Sequence, residues 1–158
     1  MDSMGVTYAK TDRIDGAAIY RLFDRVGWIS PRSAKPGRHR KIDGISNHTI
    51  YLNSVAESSF LEETFANSTA IFVARSGEEI VGCVRVLSDL RQRSVVYDLV
   101  VDPGHQGKGI GTALLKMCLE EFFRTQITLG TATTSMGFYE RLGFVRSGNY
   151  LELSTEAY

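Results

Sequence analysis

The chain has 158 residues, 43% of them hydrophobic and 23% charged, with 18 basic residues set against 18 acidic ones. That length supports one domain with a core of its own, and residues 1–158 are read as a single domain. The charge balance argues against a protein whose main task is to coat nucleic acid, because phosphate binding rests on a surplus of Lys and Arg. Cys83 and Cys118 are too few for a disulfide framework and lack metal-ligand spacing. Both lie in apolar stretches, as small core residues of a reducing compartment do. No apolar run approaches the ~20 residues that cross a bilayer. The opening Met1-Asp2-Ser3-Met4-Gly5 lacks the basic-then-apolar build of a signal peptide. The expectation is a soluble, cytoplasmic protein with no metal and no membrane or nucleic-acid partner.

Val6 to Lys10 alternates as a short strand. Ile19, Leu22, Phe23 and Val26 then recur at helical spacing, with Asp12 or Asp15 available as N-cap and Gly27 placed to end the helix. Ser30 to Lys41 holds two prolines together with Arg32, Lys35, Arg38, His39, Arg40 and Lys41, and reads as a basic loop. A weaker helical segment covers about Ser54 to Phe65. From Thr69 the pattern turns to strands: Ala70 to Ala74 and Ile80 to Leu87 flank a hairpin turn at Ser76-Gly77-Glu78-Glu79. Val95 to Val101 is nearly all apolar and is expected to be covered on both faces. Ile110, Ala113, Leu114, Met117, Cys118 and Phe122 trace one stripe of a strong helix. A strand over Gln126–Thr131, a short helix over about Ser135–Arg141, and strands at Phe144-Val145 and Tyr150–Leu153 complete the pattern. Strand, helix, strand in the second half implies a parallel pair with a right-handed crossover, so the fold class is mixed α/β.

The most informative stretch runs from Val100 to Thr112, where an apolar strand enters a glycine-rich turn and a strong helix begins at once. Glycines let several backbone N–H groups point at one spot, and the helix N-terminus adds partial positive charge, which together make an anion site. It is not a P-loop, because Lys108 is followed by Gly109 rather than Ser or Thr. Gly107, Gly109 and Gly111 also miss the G-x-G-x-x-G spacing of a dinucleotide fingerprint.

Gln106-x-x-Gly109-x-Gly111, after an apolar strand ending in Val101-Asp102-Pro103, resembles the acetyl-coenzyme A signature of the GCN5-related N-acetyltransferase (GNAT) superfamily. Gly137-Phe138-Tyr139-Glu140-Arg141-Leu142-Gly143-Phe144 resembles that superfamily's second signature. The likeness runs from about Ile71 and covers more than half the chain. It implies a single-domain GNAT fold: a mixed, mostly antiparallel sheet with a splayed parallel strand pair, flanked by helices. Residues of about 69–153 would form the acetyl-coenzyme A-binding core, and about 6–65 the acceptor side.

By the same resemblance, acetyl-coenzyme A is the co-substrate. Its pyrophosphate is expected on the backbone of Gln106, Gly107, Lys108, Gly109, Ile110, Gly111 and Thr112, and its pantetheine arm along Leu99, Val100 and Val101. A main-chain N–H in that strand would stabilise the thioester oxyanion. Tyr139 is the expected catalytic acid near the cofactor sulfur, since a phenol can protonate a departing thiolate. Asp98, an ionisable residue inside an apolar strand, is weighed as general base against a structural hydrogen-bonding role. In a regular strand it would share a face with Val96 and Val100. Where many members carry an Asn before the last helix, this chain has Thr133, Thr134 and Ser135.

Trp28 and Tyr51, with His48, are aromatic groups suited to an amine pocket, and Glu57, Glu62 or Glu63 to countering its charge. The run Ile80–Asp89 resembles members that act on small amines, so the expected acceptor is an arylalkylamine, polyamine or amino sugar. A protein N-terminus or lysine, and a non-catalytic coenzyme A-binding sensor, are the alternatives. Dimers are common in this superfamily, and a homodimer is compatible with the resemblance.

Overall fold

The computed structural model describes residues 5–30, 50–51 and 58–148. They fall in two compact units, the first reaching Gly130 and the second starting at Thr131. The calls on Arg32–Lys41, His48, Glu57 and the strand at Tyr150–Leu153, and the start of the helix expected from Ser54, lie outside the described residues.

In the first unit, β1 (Val6–Thr11) leads to α1 (Gly16–Arg25). Of the two capping aspartates it is Asp15 that caps, accepting from the Ala17 amide at 3.0 Å. The apolar stripe then buries Ile19, Leu22 and Phe23. Two-residue strands β2 (Ile29–Ser30) and β3 (Ile50–Tyr51) pair in parallel. α2 (Ser58–Ala66) buries Leu61 and Phe65, whose ring centroid lies 6.1 Å from that of Phe23. β4 (Ala70–Ser76) and β5 (Glu79–Ser88) form the expected hairpin, and β6 (Arg93–Val101) continues the antiparallel run. α3 (Ile110–Glu121) then crosses over to β7 (Gln126–Leu129), which pairs with β6 in parallel. Among the described residues, one sheet therefore has the order β1-β4-β5-β6-β7, with a single parallel pair at its end. This is the mixed, mostly antiparallel sheet expected.

Helices α1 and α2 cover one face through Ile19, Leu22, Phe23, Leu61 and Phe65, packed on Ile71, Val73, Cys83 and Val100 of the sheet. α3 sits against β5 at Gly82, where an added Cβ would lie 3.1 Å from both Ile110 Cγ2 and Leu114 Cδ1. Gly82 and Cys83 are neighbours in a strand, so α3 takes the opposite face from α1 and α2. The expected stripe of α3 is buried at Ile110, Leu114, Cys118 and Phe122, and Leu115 joins it.

The expectation that β6 is covered on both faces is corrected. Ser94, Val96 and Val100 are buried, whereas Tyr97 is 42% exposed. Tyr97 lies where β6 has become the edge of the sheet, and a side chain on an edge strand is open to solvent along its outer flank.

In the second unit, a 3₁₀ turn at Thr133–Ser135 leads into α4 (Met136–Glu140). The strand expected at Phe144-Val145 is absent, since residues 144–148 take no regular structure. The Phe144 amide instead donates back to the Tyr139 carbonyl at 3.1 Å and the Gly143 amide to that of Glu140 at 3.1 Å. That is a Schellman closure, with Gly143 in the left-handed conformation it requires (φ 92°). The Gly-Phe pair ends a helix rather than starting a strand.

Candidate active site

The parallel ladder between β6 and β7 joins Arg93 to Gln126, Ser94 to Ile127, Val95 to Thr128 and Val96 to Leu129, then stops. β6 runs on through Tyr97–Val101 paired to β5 alone, so its outer edge has no strand partner among the described residues. A strand edge without a strand partner is able to seat an extended ligand through its main-chain groups.

The ladder ends two residues before β6 is bulged. Tyr97 opposes Arg85 and Val100 opposes Cys83, leaving Asp98 and Leu99 against Val84 alone. Asp98 takes φ 51°, the left-handed region that a non-glycine residue seldom enters. The extra residue breaks the regular parity expected for this strand. Val96 pairs with Val86, whereas Val100 pairs with Cys83 and joins the α1–α2 cluster, so the two valines face opposite ways. The Asp98 carboxylate accepts from Arg85 Nε, and both side chains are nearly buried. The Arg85 guanidinium lies over the Phe65 ring at 5.8 Å and the Tyr97 ring at 5.0 Å. Asp98 thus has the structural partner weighed against a role as base, and one of its oxygens is taken by that donor.

At the far end of β6, Asp102 starts the glycine-rich turn. Its side chain accepts from the Gly104 amide at 2.9 Å and lies 3.3 Å from His105 Nδ1. It also pairs with Arg25 Nε from α1, while Arg25 Nη2 donates to the Ile80 carbonyl at 3.1 Å. Partial burial pushes the Asp102 carboxyl up, but hydrogen bonds from His105, the Gly104 amide and Arg25 outweigh it and hold the group below the usual carboxylate range. Neither Arg25 nor Arg85 was singled out from sequence. For Arg85 a signal existed, a lone arginine in an apolar strand. For Arg25, on a helix, none did.

The turn itself is exposed from Pro103 to Gly109 apart from the half-buried His105. Gln106 Nε2 donates to the Val101 carbonyl and Lys108 Nζ to the Gly104 carbonyl, both at 2.9 Å. These two side chains therefore brace the turn, and Lys108 is not held out as a free cation. Gly109 is the N-cap of α3 at φ 81°, with no side-chain acceptor offered to the first-turn amides of Ile110, Gly111 and Thr112. A Cβ on Gly107 or Gly109 would meet nothing within 4 Å, so the space above the turn is open. Uncapped helix amides beside open space at a left-handed glycine fit a phosphate.

In the second unit, the Tyr139 ring packs edge-on against Phe138 at 4.9 Å and Phe144 at 5.9 Å. Burial pushes its phenol up and a hydrogen bond with Thr131 partly opposes this, so the group is protonated at neutral pH. The Cys83 thiol is pushed well above its usual value by burial and Asp98, against Arg85, and Cys118 up to about 12, mainly by burial. Neither is a thiolate nucleophile.

The residues expected on the acceptor side are placed differently. Trp28 packs edge-on against Phe23 at 5.2 Å and is part of the α1 cluster. Glu62 accepts from the Gly16 amide at 3.4 Å, helping to cap α1. Glu63 is exposed, and Tyr51 contributes backbone to β3. Among the described residues, no group of three or more His, Cys, Asp or Glu is arranged to hold a metal, and no helix is long and apolar enough to cross a membrane.

A family model described as an acetyltransferase (GNAT) domain matches residues 41–153, well over half of the chain. The chain belongs to the GNAT family. Among relatives, it is 33% identical over 142 residues to "Histone acetyltransferase TAP1" of Glycine max, covering 88% of this chain and 55% of that protein. It is 25% identical over 142 residues to "GCN5-related N-acetyltransferase 2, chloroplastic" of Arabidopsis thaliana, covering 88% and 53%. This GNAT chain thus spans little more than half the length of these curated relatives. A GNAT family acetyltransferase from Streptococcus pneumoniae shares the fold at TM-score 0.69 and 24% identity, covering 96% of this chain and 99% of that one. A predicted acetyltransferase from Clostridium acetobutylicum, solved with acetyl-CoA, superposes at TM-score 0.60 and 17% identity over 94% and 96%.

Proposed function

We propose that this GNAT domain transfers acetyl from acetyl-coenzyme A to a primary amine by direct attack. The observation that carries the reading is the coincidence of two features on β6: its edge is unpaired from Tyr97 to Val101, and the uncapped N-terminus of α3 follows one turn later. Extended strand edge and anion site lie in chain order, as a ligand with a peptide-like arm and a pyrophosphate requires.

Acetyl-coenzyme A, when bound, supplies an activated acyl group on a thiol leaving group. Leu99, Val100 and Val101 line its arm with main-chain groups, one N–H of which takes the charge that develops on the acyl oxygen. Gln106, Gly107, Lys108, Gly109, Ile110, Gly111 and Thr112 hold the phosphates by backbone. The amine nitrogen bonds the acyl carbon, the carbon–sulfur bond breaks, and Tyr139, protonated at neutral pH, gives its proton to the departing sulfur. The inert thiols of Cys83 and Cys118 support direct transfer without an acyl-cysteine. Asp98, tied to Arg85, acts as scaffold; the amine sheds its proton to water, and water returns one to the Tyr139 phenolate.

The acceptor we assign is a small amine, on the strength of the Ile80–Asp89 pattern. A protein acceptor is the second reading, favoured by the soybean relative's printed name. Thiol release from acetyl-coenzyme A against arylalkylamines, polyamines, amino sugars and histone-tail peptides separates them. Turnover with a free amine at a KM of ~1 μM to 1 mM supports the first reading. Turnover with peptides alone moves the acceptor to protein, and binding without any turnover removes the enzymatic reading.

A further inference from the structure

The bulge in β6 is built from side chains as well as backbone. Asp98 holds a left-handed backbone at φ 51°, which Asp enters more readily than most L-residues but still at a cost that a partner must offset. Arg85, on the facing strand, is that partner. Its Nε binds the Asp98 carboxylate, and its guanidinium is pinned between the rings of Phe65 on α2 and Tyr97 on β6. The Cys83 thiol adds a weak contact to the Asp98 carbonyl at 3.9 Å. The bulge at Asp98–Leu99 begins two residues past Val96, the last residue that β7 pairs, with Tyr97 still paired to Arg85 between them.

We infer that Arg85 is a positioning residue that locks Asp98 in the left-handed conformation and thereby fixes the bulge that frees the Tyr97–Val101 edge. The inference rests on the reading of that edge as the seat of acetyl-coenzyme A. Arg85 touches no reacting atom. It acts by removing the freedom of residues 98–99 to slip back into a regular ladder, which would return the edge to a different register and redirect its N–H and C=O groups. The Phe65 contact extends the lock to α2, so packing of the acceptor-side helix bears on the shape of the cofactor edge.

The test is a rescue. Arg85→Met keeps a long apolar stem against Phe65 and Tyr97 but removes the donor, and it should weaken acetyl-coenzyme A binding by about tenfold, the scale of one left-handed residue no longer held. Adding Asp98→Gly to Arg85→Met supplies a residue that takes positive φ without a lock, and should restore affinity to within about threefold of wild type. Arg85→Lys, for use if Arg85→Met does not fold, should fall between Arg85→Met and wild type. Amide exchange over residues 97–101 without ligand should speed up in Arg85→Met and slow again in the double variant. If Arg85→Met leaves both binding and exchange unchanged, or if Asp98→Gly restores neither, the lock is wrong. If wild type fails to bind acetyl-coenzyme A, the functional reading falls on its own, and the exchange measurement still decides the role of Arg85.

Discussion

Asp98 and Asp102 lie four residues apart at the end of one strand, and each meets an arginine from another element. Asp102 sits at φ −48°, in ordinary backbone, and collects donors from its own turn before it reaches Arg25 on α1. Asp98 sits at φ 51° and depends on Arg85. The same ion pair therefore does different work at the two places. At Asp102 it anchors a turn whose local hydrogen bonds already favour it, whereas at Asp98 it opposes the local preference of the chain. A salt bridge near a site is informative when read against the backbone it holds.

The largest expected effect tests what the Asp102 end is for. Gly109→Val puts a β-branched residue at φ 81°, where its Cβ also enters the open space over the α3 amides. Acetyl-coenzyme A affinity measured by calorimetry should drop about a hundredfold, some 2.7 kcal/mol. An unchanged Kd would remove the turn from cofactor binding and leave Asp102 a purely architectural residue.

If both ion pairs are scaffolds, the proton chemistry must lie elsewhere. Tyr139→Phe should lower kcat about tenfold, at or below the low end for a general acid because a thiolate leaves readily, with little change in acetyl-coenzyme A KM. An unaltered kcat would take Tyr139 out of the mechanism and reopen Asp98 as a proton-transfer group.

The smallest effects separate the pairs directly. Asp102→Asn should lower stability in urea by about 1–2 kcal/mol, since Arg25 loses its partner while the amide still caps Gly104. Asp98→Asn should lose somewhat more, about 2 kcal/mol, because Arg85 is left nearly buried without its counter-charge and the better fit of asparagine to the left-handed region offsets only part of that. Equal losses would erase the distinction. pH dependence follows in sign: the Asp102 carboxyl is depressed in the fold, so its contribution is complete above about pH 5 and drains away below about pH 4. Urea unfolding at several pH values should show that part of the acid loss missing in Asp102→Asn.

Much of this was legible before any coordinates. The alternations of β1, β4 and β5, the stripes of α1 and α3, and the strand–turn–helix around Gly107, Gly109 and Gly111 are local patterns, and local patterns follow from side-chain period. Asp98 was noticeable because a charge in an apolar strand needs a partner. The bulge was not legible, since nothing in Tyr97-Asp98-Leu99 says that two residues will face one. Phe144-Val145 misled for a related reason: two apolar residues look like a strand, but their amides were already committed to closing α4 through Gly143. Trp28 is an aromatic residue in the segment expected to meet the acceptor, and composition alone does not tell a pocket wall from a ring packed on Phe23.

By itself the chain determined most of its elements, its glycine-rich turn and its family, because each depends on residues near one another in sequence. Only the tertiary structure decided where β7 lets go of β6, which arginine each aspartate meets, and which way Val96 and Val100 face. Those outcomes depend on register between strands and on helices packed across the sheet, where one added residue reverses every side chain beyond it.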